Sequence, residues 1–575
     1  MFYSISGKRF AIEGDCSFTL PAKTSVKFMI DEGGHWFGHG FAHRQPYPLE
    51  TESIVNEGFA VNNTQSPVWL CSAGFAIFAD TSSRLSVKFN AGNDRIFELT
   101  PLSDDVGIRI FKGANLPEAH SKLMKHLKWP GKVPAKELIG DSIFCTWTQF
   151  PRCISQERIL QTALEIRENE FPCTVMTLDD KWESVPGDLE FCDDFPHPRE
   201  MISKLHEMKF KVLLWVTPFI NVNSKNFGLL ESQRLLVMKK TGEDAALFKW
   251  WGGTAGLVDL TKPEAKKWYA DRLLLLKNDI GVDGFKIDGG DAKYQPDSGE
   301  AAWHDYKGAS GFNDVLLSVF EEICPGFCET RTVWLSQNRN ILWRQGGKDS
   351  HWGIDNGLKA MVTYGLHTAV MGYDVSIPDM IPGRVQTMSI NDPIPTDELF
   401  IRWTELSAFF ASMQFSYFPW NYSKEVSETA CAYAKLHKSI ESYIMSEAEN
   451  RKMPLLRPLW FESQDDEFFT VSDEFMLGKD LLVCPVVSEK QESRDILLPP
   501  GKWRDAWTGK TYSGTHVESH PAPCPGIPLF VRNENRALFE NLSSGLKNIR
   551  RGLIKTGTCS ATYSCGVNRD LKVSG

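Results

Sequence analysis

Up to about residue 113, apolar and polar positions alternate in short runs. Examples are Thr24-Ser-Val-Lys-Phe-Met-Ile30, Leu85-Ser-Val-Lys-Phe-Asn90 and Gly107-Ile-Arg-Ile-Phe111, separated by Gly, Asn and Asp. A period of two marks half-buried strands, and frequent turns between them predict a β-sandwich. Leu116 to Leu127 carries apolar residues at helical spacing, and Trp129-Pro-Gly-Lys-Val-Pro134 reads as a linker. The rhythm then changes. Continuously apolar strands (Ile143 to Thr148, Cys173 to Leu178, Lys211 to Pro218, Gly284 to Ile287) alternate with amphipathic helices (Gln156 to Glu168, Pro198 to Met208, Pro263 to Asn278). Strand then helix, repeated, predicts parallel βα units with a sheet buried on both faces. Later strands are expected at Val333 to Ser336, Ala369 to Gly372 and Met413 to Tyr417. From about 456 the alternation returns in Phe468 to Val471, Leu481 to Val487, Asp495 to Leu498 and Lys502 to Trp507, predicting a second sandwich.

These rhythms divide the chain into an N-terminal β-sandwich (1–128), a βα-repeating domain (129–455), a C-terminal β-sandwich (456–550) and a tail without a packing pattern (551–575). A chain of 575 residues exceeds what one core supports, which agrees with several domains. Polar residues collect after the βα strands: Gln149, Asp179 and Asp180, Thr217, Asp288 and Asp291. Both a (β/α)₈ barrel and an open doubly wound sheet place ligands at strand C-termini. No Gly-rich loop follows the first strand, which weakens a nucleotide-binding reading.

Composition narrows the chemistry. Lys and Arg are scattered and the net charge is −10, so no basic face for nucleic acid is expected. The 18 Trp favour carbohydrate, whose C–H faces stack on flat rings. Thirteen Cys without CxxC pairs read mainly as buried thiols; the His spacing shows no metal-ligand pattern, so neither metal nor other cofactor is expected. The first residues lack a signal-peptide core and no run is long enough to span a bilayer, so the chain reads as cytoplasmic as written, or as secretory if a leader is missing. Sequons at Asn62, Asn421 and Asn541 are near chance frequency and decide nothing. Oligomeric state is left open, a homo-oligomer included.

Glycoside cleavage needs one ionised carboxylate and one protonated carboxyl across the scissile bond. Candidates are Asp180, Asp288, Asp291, Asp349, Asp355, Asp374 and Asp379. Three segments resemble glycoside hydrolase family 31: Asp179-Asp-Lys-Trp-Glu-Ser-Val-Pro-Gly-Asp188 followed by Phe195-Pro-His-Pro198; Gly284-Phe-Lys-Ile-Asp-Gly-Gly-Asp291; and Leu482-Val-Cys-Pro-Val-Val487 followed by Pro499-Pro-Gly-Lys-Trp503. Asp349-Ser-His-Trp-Gly-Ile-Asp-Asn-Gly-Leu358, Gly372-Tyr-Asp-Val-Ser-Ile-Pro-Asp-Met380 and Met413-Gln-Phe-Ser-Tyr-Phe-Pro-Trp420 are similar to its myogenesis-regulating glycosidase branch, which is α-galactosidase-like.

The resemblance implies a (β/α)₈ TIM barrel between two β-sandwiches and a retaining exo-α-glycosidase. The implied substrate is an α-galactoside, with an α-glucoside as the alternative. It implies Asp288 as nucleophile and Asp349 as acid/base, with Asp355 as rival. The family's Lys-x-Asp-x-Gly-Glu carries Asp291 in place of Glu here. Substrate contacts are expected from Asp179, Asp180, Trp182, Trp215, Trp251, Lys286, Asp291, Arg344, Trp352 and Asp379. Trp182 is expected as a pocket wall, Lys286 as the cation holding Asp288 ionised, and Arg344 on a hydroxyl or on Asp349. A retaining pair should stand about 5–5.5 Å apart. The altered residue 291 and acid/base spacing keep a second reading open, a degenerate barrel that binds carbohydrate or acts as a scaffold.

Overall fold

The computed structural model describes residues 2–29, 34–150, 153–296, 299–383, 394–514 and 516–556. Residues 557–575 of the expected tail lie outside the described residues.

The N-terminal alternation folds into two antiparallel sheets. One has six strands in the order Lys8–Ala11, Phe2–Ile5, Val26–Met29, Ile96–Pro101, Leu85–Phe89, Ile54–Phe59; the other has five, from Cys16–Leu20 to Trp36–Gly40. Their inward positions supply Trp36, Trp69, Phe28, Phe89 and Phe97, which form a closed aromatic core. This sandwich is pinned to the rest of the molecule by buried polar contacts. His367 Nδ1 accepts from Gly38 N at 3.1 Å, so Nε2 donates to Pro46 O at 2.8 Å. Burial pushes the His367 imidazole down to about 4, which keeps it in that neutral tautomer.

The central strands are β1 (Ser142–Cys145), β2 (Cys173–Leu178), β3 (Lys211–Val216), β4 (Gly284–Ile287), β5 (Cys328–Thr330), β6 (Leu342–Arg344), β7 (Ser376–Ile377 and Met380–Ile381) and β8 (Met413–Phe415). All neighbours are parallel. The two halves of β7 close the barrel: Ser376–Ile377 pairs with β6, and Met380–Ile381 pairs with β8. Asp379, at φ 70°, makes the break between the halves. Helices α1 (Gln156–Glu168), α2 (Pro198–Glu207), α3 (Pro263–Leu275), α4 (Gly311–Ile323), α5 (Leu358–Val370), α6 (Asp397–Ser407) and α7 (Lys424–Ser439) connect them. The link from β5 to β6 has no helix.

Several expectations are corrected. The fifth strand lies at Cys328–Thr330 rather than Val333 to Ser336. Ala369 and Val370 end helix α5 and are not a strand. Asp466–Thr470 is a short helix where a strand was expected. The C-terminal region holds a six-stranded and a two-stranded sheet, followed by the helix α8 (Arg536–Thr556). Leu538, Leu542, Leu546 and Ile549, spaced on one helical face, are buried, and a Cβ at Gly545 would stand 2.4 Å from Leu436 of α7. Among the described residues no helix is long and apolar enough to cross a membrane.

Candidate active site

Strand side chains repeat every two residues, so Lys286 and Asp288 point to one face, as do Glu329 and Arg331. Lys286 pairs in register with Trp215 on one side and Glu329 on the other. The barrel interior therefore holds two stacked layers of charge at its C-terminal end, where barrel sites are built.

The lower layer is closed. Lys286 Nζ lies 2.8 Å from Asp179 Oδ2, 3.6 Å from Glu329 Oε1 and 3.4 Å from the Cys145 thiol. Arg344 Nη1 donates to Asp379 Oδ1 at 2.7 Å, and its Nε is 3.3 Å from Glu329. Burial pushes Glu329 up, against the pull of Lys286 and Arg344. Asp379 is pushed up by burial too, yet Arg344 and Lys286 outweigh this and hold it below the ordinary carboxylate range.

The upper layer is built on Asp288. Its Oδ2 accepts from Trp215 Nε1 at 3.0 Å; its Oδ1 accepts from Gly289 N at 2.9 Å and Arg331 Nε at 2.6 Å. Burial alone would raise its proton affinity, but Arg331 and then Arg344 reverse the sign and hold Asp288 well below the usual carboxylate range. The remaining Arg331 nitrogens clamp Asp291 at 2.9 and 2.8 Å, and Nη1 also donates to Asn63 Oδ1 at 2.7 Å. Gly289 and Gly290, both at left-handed φ, turn the chain so that Asp291 returns beneath Arg331; a Cβ at Gly289 would stand 2.8 Å from Phe219. Above this layer, Trp251 is 47% exposed, has the Arg331 guanidinium 5.7 Å from its ring, and packs edge-on to Trp250 and Tyr294.

Asp349 follows β6 on a loop. Its Oδ2 accepts from Asn356 Nδ2 at 3.0 Å and its amide donates to Asn356 O at 3.0 Å. Beside it, Lys348 is buried, with Nζ donating to Gly346 O at 3.0 Å and lying 4.4 Å from the Tyr364 ring centre. Burial pushes this ammonium down to about 7, opposed by Asp379 and Asp349. Asp355, the rival, is exposed, whereas Asp349 is 7% exposed.

Other expected residues sit differently. Trp182 is fully buried and donates to Trp215 O at 2.8 Å, so it backs the site rather than walling it. Lys286 pairs with Asp179; the cation on Asp288 is Arg331. Arg344 is engaged by Asp379 and Glu329. Asp180 accepts from Lys181 N and pairs with its ammonium, and Trp352 is half-buried on the Asp349 loop. Asp374 receives Trp129 Nε1 and Leu455 N, a structural tie between the linker and the C-terminal region. Arg331, Glu329, Lys348 and Asn63 were not anticipated. A cue existed for the first two, since the period of two in Glu329-Thr-Arg331 repeats that of Lys286-Ile-Asp288. Among the described residues no group of three or more His, Cys, Asp and Glu could hold a metal ion.

Residues 139–447 match the model of the glycosyl hydrolases family 31 TIM-barrel domain. Residues 452–535 match the glycosyl hydrolase family 31 C-terminal domain, and residues 10–106 the myogenesis-regulating glycosidase N-terminal domain. The mouse (Mus musculus) myogenesis-regulating glycosidase is 30% identical over 85% of this chain and 73% of its own length. An α-xylosidase, XylQ, of Lactiplantibacillus pentosus is 23% identical over 78% of this chain and 59% of its length. A family 31 sulfoquinovosidase from E. rectale, solved with an aza-sugar inhibitor, superposes with a TM-score of 0.79 at 18% identity, covering 93% of this chain and 87% of that one.

Proposed function

The chain belongs to glycosyl hydrolase family 31, and from that membership we propose that it is a retaining, exo-acting α-glycosidase with Asp288 as nucleophile and Asp349 as acid/base. The observation that carries the reading is the state of Asp288: a carboxylate at a barrel strand end, held ionised by Arg331 and oriented by Trp215. In double displacement an Asp288 oxygen attacks the anomeric carbon while Asp349 gives its proton to the departing oxygen, and a covalent glycosyl-aspartate forms. Water then attacks that carbon, Asp349 takes its proton, and Asp288 is released. Asn356 holds the Asp349 carboxyl through one oxygen. Trp251 offers an exposed ring for a sugar face, and Asp179, Asp180, Arg344, Trp352 and Asp379 serve the pocket directly or by fixing those that do.

An α-galactoside is the first substrate class, because the Asp349–Leu358, Gly372–Met380 and Met413–Trp420 segments follow the α-galactosidase-like branch. The α-glucoside is second, and the α-xylosidase among the relatives adds the α-xyloside to the panel. The test is hydrolysis of the three aryl α-glycosides by wild type and Asp288→Asn. Loss of turnover in the variant is expected; equal activity in both proteins overturns the nucleophile, and no turnover by wild type favours the carbohydrate-binding or scaffold reading. Asp349→Ala should slow substrates with poor leaving groups far more than activated aryl ones.

A further inference from the structure

The upper charge layer is completed by a residue from outside the barrel. Residues 61–64, between the sandwich strands Ile54–Phe59 and Gln65–Cys71, lie over the ends of β4, β5 and β6. Ala292 N donates to Val61 O at 2.8 Å, and Val61 N donates to Ser310 Oγ at 3.0 Å. Thr64 N donates to Tyr364 Oη at 3.0 Å, and the Thr64 hydroxyl faces the carbonyls of Arg331 and Arg344 at 3.3 and 3.4 Å. Thr64 also forms a parallel bridge with Val333. Six contacts thus fix this short loop to the barrel, and Asn63 at its tip adopts φ 62°. The Asn63 side chain is wedged: a Cβ on Gly346 would stand 2.6 Å from its Cγ and Oδ1. Its Oδ1 accepts from the same Arg331 Nη1 that reaches Asp291.

We infer that Asn63 is a positioning residue for the reaction: it fixes the Arg331 guanidinium so that Nε stays on Asp288, making the N-terminal sandwich a working part of the catalytic centre. A guanidinium held only by Asp291 could pivot about that pair. The Asn63 contact, a further acceptor on Nη1 of a rigid planar fork, removes that freedom. The inference rests on the role proposed for Asp288.

Asn63→Gly tests it in the full chain, because glycine accepts the left-handed backbone and removes only the side chain. Against an aryl α-glycoside that wild type turns over, kcat should fall about ten-fold with KM within about two-fold, as expected for losing a hydrogen bond to a charged group. The acid limb of kcat should move up by about one pH unit as Arg331 loosens. Asn63→Asp, which keeps the acceptor oxygen, should restore kcat at neutral pH to within about three-fold. A crystal structure of Asn63→Gly should show Arg331 Nε outside hydrogen-bond distance of Asp288. Unchanged kcat and acid limb, or Arg331 unmoved in that crystal, overturns the inference. If wild type hydrolyses no aryl α-glycoside, the reading of Asp288 fails, and the position of Arg331 in the variant crystal still decides this one.

Discussion

Two layers of acidic and basic side chains stand one above the other inside the barrel, and they differ in what they leave open. The lower layer sets Asp179, Glu329 and Asp379 against Lys286 and Arg344, with no side chain more than 5% exposed. The upper layer sets Asp288 and Asp291 against Arg331, with 13% of the Asp288 side chain and 10% of the Arg331 side chain exposed. Both layers set carboxylates against cations. Only the upper layer presents a carboxylate to a molecule entering the barrel mouth, while the lower one forms the rigid floor on which it rests. Burying charge is costly unless each partner is matched, so removing one member should injure the two layers differently.

The largest separation should come from Arg331→Met. It takes the cation from Asp288, and kcat/KM should fall about 100- to 1,000-fold, the scale of losing a preorganised electrostatic partner. Steady-state kinetics on the substrate panel measure it; a loss below ten-fold would remove Arg331 from the account. Lys286→Met should act on the fold first. It leaves Asp179 and Glu329 without their shared cation and should cost about 3–5 kcal/mol, read as a lower denaturant midpoint. If it lowers activity without lowering stability, the floor reading is wrong.

The pH dependence follows from the sign of one shift. Arg331 holds the Asp288 carboxyl below the ordinary range, so the carboxylate persists as pH falls through that range. The acid limb that Asp288 would set as the proposed nucleophile in wild-type kcat/KM should therefore lie below where a free Asp titrates, and Arg331→Met should move it up. The smallest effect is expected at Lys348, which is neutral above about 7 and charged below it. Lys348→Met should match wild-type activity above pH 7 and differ by about three-fold below it, since only there does the variant remove a charge. A difference of equal size at pH 9 would show that packing on Tyr364, rather than charge, is what Lys348 contributes.

The upper layer was half legible in the sequence. Asp288 and Asp291 follow a strand whose glycine-rich exit marks it, and the strand's apolar character places it. Arg331 and Glu329 escaped because the strand that carries Glu329 and ends just before Arg331 is short, and both of these positions are charged. Hydrophobic patterning reads such positions as surface, and the apolar run Val333-Trp-Leu drew the strand five residues late. Asn63 was beyond reach of any pattern, since its partner lies 268 positions away. Trp182 shows the reverse error. Its place beside two acidic residues suggested a sugar contact, yet its indole N–H is spent on the Trp215 carbonyl in the core. Helix α8 was obscured by the Ser, Gly and Arg interspersed along it, although its buried leucines keep helical spacing.

The most direct test is covalent. Wild-type protein inactivated with a mechanism-based α-glycoside epoxide or 5-fluoroglycosyl fluoride, then digested and sequenced by mass spectrometry, should carry one sugar on Asp288. Asp288→Asn should carry none. A label on Asp291, Asp349 or another carboxylate, or full activity with Asp288 unlabelled, would contradict the account.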